Sequence, residues 1–184
     1  MEAAVKEFIE KGYHGASMQS IADRAGLSKG GIYHHFKSKD EILIEANTRY
    51  YMQPVFKIME EALANESPVK GLTDYITNYL THWSNHPKEM SFVFLSLSKF
   101  LDTEELWSEF DDEYIKNMIS FYEGLLLRGI ECNELKEHDT RGRAKILFSS
   151  LDGVIGYLVM SKSMDTEETI EQYISLFIED ILKD

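Results

Sequence analysis

Two short helical patterns stand only three residues apart between Ser17 and His35, and they constrain the fold of this 184-residue chain more than any other feature. Met18 to Ala25 carries Met18, Ile21, Ala22 and Ala25 on one face, with Ser17 placed to cap its first turn. Gly26 supplies the left-handed conformation that ends it. Ser28 then caps a second segment, Lys29 to about His35. Ala22 is small where the two segments must approach closely, while Ile21 and Ile32 return apolar side chains to a shared core.

Helix signals continue on both sides. In MEAAVKEFIEKG the pairs Ala4/Phe8 and Val5/Ile9 define one apolar face and Gly12 ends the helix. Ser38-Lys39-Asp40-Glu41 reads as a capping box opening a fourth, longer run through Ile42, Leu43 and Ala46. Pro54 must kink or divide that run, because proline deletes a backbone hydrogen bond. Pro68 and Pro87 stand at first helical positions, where proline is favoured. Asp102 or Thr103 caps a seventh helix reaching Arg128, which Gly129 stops; Asp139 begins an eighth, to about Lys162, and Asp165 a ninth, to near Lys183. The expectation is an all-α chain of about nine helices, without strands or internal repeats. It divides near Arg49 to Gln53 into an N-terminal part, residues 1–50, and a larger part, residues 51–184.

Charge separates the two parts. Residues 1–50 hold seven basic and seven acidic residues, whereas the other 134 hold 12 and 25, so the whole formal charge of −13 lies there. A uniformly acidic chain is repelled by nucleic acid, but surface fields are screened over about 10 Å, so a neutral first quarter can approach it. Cys132 is the only cysteine, which excludes an intrachain disulfide and fits a reducing compartment. No stretch approaches the roughly 18 apolar residues that span a bilayer, and the start lacks a secretory pattern. The chain is therefore expected in the cytoplasm, with no membrane partner.

The stretch GYHGASMQSIADRAGLSKGGIYHHFKSKDEIL, Gly12 to Leu43, resembles the DNA-binding module of TetR (tetracycline-repressor) family transcriptional regulators. That family's pattern of Gly-Tyr, Thr or Ser, Ile-Ala, Ala-Gly, Ser-x-Gly, Tyr-x-His-Phe and x-Lys-x-x-Leu appears here in order and spacing. The family's first helix begins a turn or more before the Ala3-Ala4 pair and follows a basic arm, so no arm contacts are assigned. In helix–turn–helix readers the second helix enters the major groove. Gly30 and Gly31 each cost about 1 kcal/mol of helix propensity, and close approach to DNA is their expected return. Lys29 can reach a guanine edge or phosphate, and His34 base edges or phosphate. Tyr33 resembles the family tyrosine that contacts phosphate. Lys39 is expected to hold a phosphate with the free N–H groups of the fourth helix. Ser17 and Gln19 are expected to do the same at the second helix, and Ser28 lies in the same interface. Phe36 is expected in the core.

Beyond residue 50 the chain is rich in aromatics. Buried hydroxyls and indoles need partners, and an apolar pocket gives them a reason. The resemblance implies a pocket for a small-molecule effector, expected among Met52, Phe56, Met59, Tyr75, Tyr79, Trp83, Phe94, Trp107, Tyr114, Met118, Phe121 and Tyr122. The last two helices carry an apolar surface wider than one packing stripe. Leu147, Leu151, Val154, Ile155 and Leu158 of one, and Ile170, Tyr173, Ile174 and Phe177 of the other, suggest a four-helix homodimer interface.

Enzyme signatures do not emerge. His82 and His86 have the spacing of a zinc-protease pair, but Trp83 stands where the glutamate base is needed and Pro87 ends the helix, so no metal is expected. No phosphate-cradling glycine loop, nucleophile elbow or dinucleotide fingerprint occurs. No cofactor and no catalytic residue is assigned. The expected function is ligand-responsive repression through a near-palindromic operator bound as a homodimer. The alternative is a helical ligand-binding or protein-interaction module without operator-specific DNA binding. Pro54 is the expected hinge.

Overall fold

The computed structural model describes residues 1–101, 104–161 and 163–183, with side chains for all of these except 97–101 and 104–112. The described residues form helices α1 (Glu2–Gly15), α2 (Met18–Ala25), α3 (Lys29–His35) and α4 (Lys39–Asn47), then a π turn (Thr48–Met52). There follow α5 (Gln53–Leu63), α6 (Pro68–Asn85), α7 (Pro87–Leu101), α8 (Glu104–Glu131), α9 (Thr140–Met160), α10 (Thr166–Phe177) and a 3-10 turn (Glu179–Ile181). A single β-bridge, Leu135 to Leu182, is the extended pairing among them. None of these helices is long and apolar enough to cross a membrane.

Most boundaries follow from local chemistry. Ser17, Ser28, Ser38, Ser67, Asp139 and Asp165 each accept a hydrogen bond from the main-chain N–H three residues on. This satisfies one of the four donors that every helix start leaves open. Gly12 (φ 69°) kinks α1 rather than ending it, and the helix runs on to Gly15. The run expected to follow Ser38 breaks at the π turn, whose last bond joins the Gln53 N–H to the Thr48 carbonyl five residues back. Proline at 54 cannot donate to Tyr50 and its ring crowds that carbonyl, so the chain widens just before it. The long α8 passes Gly129 and turns at Asn133, φ 64°. Gly129 serves Leu135 instead: a Cβ there would stand 2.6 Å from the Leu135 methyl. The expected caps Asp102 and Thr103, and Lys162, lie outside the described residues.

The chain divides into two units, one of Met1–Pro54 with Lys88–Trp107, the other of Val55–Pro87 with Ser108–Asp184. The first has a core of Ala4, Val5, Phe8, Ala16, Met18, Ile21, Ala22, Ile32, Ile42, Leu43 and Ala46, joined by Phe92 of α7. The expected cut at residue 50 therefore leaves out a piece of the first unit's core. In the second unit α6 packs against α9 and α10. Leu72, Tyr75, Ile76, Tyr79, Leu80 and Trp83 of α6 are buried, as are Leu147, Leu151 and Ile155 of α9.

One buried charge ties the first unit together. The Glu7 carboxylate, 1% exposed, meets Lys11 Nζ at 2.6 Å and Arg24 Nε at 2.6 Å, and Arg24 continues to Glu10. The Lys11 hydrogen bond, then those of Ser20 and Arg24, hold the Glu7 pKa at about 2 against burial, which pushes it up from 4.5. A folded value below the unfolded one means that this stabilisation is complete above pH 4.5 and is lost as pH falls toward 2. Urea midpoints of the wild type should fall across that window, and Glu7→Gln should flatten the fall. An unchanged slope in the variant would remove Glu7 from the account.

Candidate nucleic-acid interface

The turn between α2 and α3 is built from its caps. Gly26 sits at φ 68° as the C-cap of α2, and the Leu27 N–H returns to the Ala22 carbonyl at 2.9 Å. Ser28 Oγ then accepts the Gly31 N–H at 3.1 Å, fixing the first turn of α3. At the start of α2, Ser17 and Ser20 cap each other reciprocally, each side chain accepting the other's N–H, at 3.0 and 2.9 Å. These caps set the crossing of the two helices without using a side chain of the outer face.

That outer face is distinct. Ile32 is 2% exposed and anchors α3, with Phe36 packed partly against the same core. Lys29, Gly30, Tyr33 and His34, at i, i+1, i+4 and i+5, lie on the opposite side and are exposed. Nothing lies within 4 Å of a Cβ placed on Gly30, whereas one on Gly31 would meet Ser28 Oγ at 3.3 Å. Gly30 is thus open space on the outer face, and Gly31 is tied to the cap. The His34 and His35 rings meet edge to face at 5.3 Å. Gln19 is exposed and donates to Asp23 Oδ1 at 2.7 Å.

Lys39 takes a different place from the expected phosphate ligand. Its Nζ donates to the carbonyls of Tyr13 and Ala16, at 2.6 and 2.8 Å, and lies 4.1 Å over the Tyr13 ring. Tyr13 in turn donates its hydroxyl hydrogen to Asp40. The start of α4 is thereby stapled to the end of α1 and the turn into α2. The expected capping box is also shifted, since Glu41 accepts from the Lys37 N–H at 2.6 Å rather than from Ser38. Lys39→Ala should cost about 1–3 kcal/mol of stability in a urea melt, the value of charge-assisted hydrogen bonds left unmade. A Lys39 that served DNA alone would leave the melt untouched.

The first 46 residues match the family model described as bacterial regulatory proteins, tetR family. Those residues carry the N-terminal TetR-family segment. Among relatives of this chain, the fatty acid metabolism regulator protein of Bacillus subtilis (strain 168) is 26% identical over 162 residues, which are 88% of this chain and 82% of that one. The HTH-type transcriptional activator FasR of Mycolicibacterium smegmatis is 48% identical over 83 residues, 44% of this chain, and only 38% of FasR is covered. Among solved structures, the transcriptional regulator FadR from Bacillus subtilis in complex with stearoyl-CoA superposes with a TM-score of 0.75 at 24% identity. That match covers 98% of this chain and 96% of FadR, and it shows the fold.

The residues expected to line an effector site scatter. Tyr75, Tyr79, Trp83, Met118, Phe121 and Tyr122 are buried together in the second unit, with Tyr75 ring centroids 5.5 Å from Tyr79, 4.9 Å from Phe121 and 5.3 Å from Tyr122. Met59 and Tyr114 of the same unit are half-buried and Phe56 is exposed. Met52 and Phe94 belong to the first unit, where Met52 is buried and Phe94 exposed. The Trp107 side chain lies outside the described residues. Phe148 and Asp152 of α9, missed from the sequence, stand beside Tyr114, Tyr122 and Tyr79. An acid alone within the apolar stretch of α9 was the available signal.

The residues expected to form a dimer face divide by helix side. Leu147, Leu151 and Ile155 are fully buried inside the chain, which removes them from any surface. Val154, Leu158, Ile170, Tyr173, Ile174 and Phe177 are half-buried. The apolar residues these helices leave open are Ile146, Tyr157, Met160 and Leu176, 61–73% exposed. His82 and His86 stack at 4.3 Å, with His86 Nδ1 2.6 Å from the His82 carbonyl. No group of three metal-ligating side chains stands together among the described residues.

Proposed function

We propose that this chain is a TetR-family repressor that binds a near-palindromic operator as a homodimer and is released by a small molecule. The observation that carries the reading is the outer face of α3, where Lys29, Tyr33 and His34 flank the open space at Gly30. Clearance beside a lysine, a phenol and an imidazole suits a helix seated in a major groove with donors for base edges and phosphates. Ser17 and Ser28 are exposed at the capping positions of α2 and α3, and Gln19 is exposed in the first turn of α2. Lys39 supports it from behind by holding the α1–α2 turn on α4. Two copies would place their α3 helices about 34–36 Å apart or somewhat more, matching successive major grooves.

Pairing of two copies through α9 and α10 is supported by Ile146, Tyr157, Met160 and Leu176, large apolar side chains that water otherwise meets. The effector would act from the second unit, whose aromatic interior suits an apolar molecule. The relatives named for fatty acid metabolism place acyl thioesters among those to be tried. A hundredfold loss of DNA affinity requires the effector to prefer the non-binding conformer by about 2.7 kcal/mol.

Sedimentation of the chain with a duplex it has selected from random DNA tests the reading. Two chains per duplex, and release by an apolar ligand that binds the chain, are expected. One chain per duplex would overturn the dimeric operator, and binding indifferent to every bound ligand would overturn the release.

A further inference from the structure

The second unit carries a recessed carboxylate that the fold does not neutralise. Asp152 of α9 accepts the Tyr79 hydroxyl on Oδ1 at 2.6 Å. No lysine or arginine among the described residues contributes to its environment, and burial raises its pKa from 3.8 to about 6, opposed by the Tyr79 hydrogen bond. The charge reaches Tyr75 of α6, Tyr122 of α8 and Tyr173 of α10, each of which it makes less acidic. Tyr75 is fully buried, and its hydroxyl makes no hydrogen bond of normal geometry. One turn before Asp152, the half-buried Phe148 ring lies 6.4 Å from the rings of both Tyr114 and Tyr122.

A carboxylate withdrawn from water normally holds a cation or several N–H donors, since its desolvation is otherwise uncompensated. Among the described residues it has one phenol. Around it stand tyrosine and phenylalanine rings, whose faces carry negative potential and attract cations. An acyl tail gains nothing from such a carboxylate, and a second anion is repelled by it.

We propose that Asp152 is the anionic subsite of the effector site and takes the protonated amine or quaternary ammonium head of an otherwise apolar effector. The Phe148 and Tyr114 rings flank the head, and Tyr79 holds the carboxylate in place. The proposal rests on the reading that the second unit binds a small molecule.

Calorimetric titration of the full chain with decyltrimethylammonium, 1-decanol and decanoyl-CoA, each below its micelle concentration, tests it. The ammonium should bind at least about tenfold tighter than the alcohol, the worth of one charge-assisted contact. Asp152→Asn should remove that advantage and leave the alcohol within about twofold of wild type, thermal melting confirming the fold. An ammonium bound no better than the alcohol, or an advantage that survives Asp152→Asn, overturns the subsite. The wild-type comparison decides alone if the variant does not fold. Should the alcohol or thioester bind and release DNA without an ammonium preference, the subsite falls and the regulator reading stands. A failure of every probe to bind removes the subsite as well, whereas a failure of the chain to hold DNA counts against the regulator reading only.

Discussion

Gly30→Glu should abolish operator binding while leaving the first unit folded. A Cβ at residue 30 meets nothing within 4 Å and the position is exposed, so the native packing leaves room for a longer side chain. Glycine also weakens a helix by about 1 kcal/mol relative to alanine, and glutamate is a good helix former, so α3 should gain rather than lose stability. On DNA the same side chain would occupy the space between helix and groove and bring a negative charge to the phosphates. The expected loss is about a hundredfold or more, some 2.7 kcal/mol, in fluorescence anisotropy at fixed salt. The melting temperature should hold or rise. Wild-type affinity in Gly30→Glu would mean that this face of α3 does not enter the groove.

Phe92→Ala should destabilise the DNA-binding unit by about 3–5 kcal/mol, the usual cost of truncating a buried aromatic. Phe92 lies on α7, beyond the stretch that matches the family model, yet it is fully buried against the core formed by α1 to α4. Its ring stands 6.2 Å from that of Phe8, which stacks on Tyr13 at 6.0 Å, and Tyr13 is the residue that Lys39 clasps. A small domain has only about 5–15 kcal/mol to lose, so DNA affinity should fall with stability. Phe94, two residues along the same helix and 37% exposed, is the control: its alanine variant should stay within about 0.5 kcal/mol of wild type. Equal melts for the two variants would detach α7 from the first unit.

The helix starts were legible because a cap is a local event. Ser17, Ser28, Ser38, Asp139 and Asp165 announce themselves by residue type and position, and Pro68 and Pro87 by what proline cannot donate. The outer face of α3 was legible too, since Lys29, Gly30, Tyr33 and His34 stand apart from the inward Ile32, although Gly31 proved to be tied to the Ser28 cap. Contacts across the chain were not. Phe92 looks like any other aromatic of its helix, and nothing in its neighbours says that it belongs to the first unit. Lys39 was read from its place at a helix start, but its partners are main-chain carbonyls, which carry no signature in sequence. On α9 the apolar surface is wider than one stripe, so the inward side of Leu147, Leu151 and Ile155 could not be told from the outward side of Ile146 and Tyr157. Asp152 broke that apolar pattern visibly, yet its tyrosine neighbours come from three other helices and only the fold assembles them.

Reading of DNA by α3 in two symmetric copies can be checked by selecting bound duplexes from random-sequence DNA. An inverted repeat whose half-sites are centred about one helical turn apart or somewhat more should be enriched, and bound more weakly as salt rises. Enrichment of no sequence, or of an unrepeated one held equally well at all salt concentrations, would contradict it.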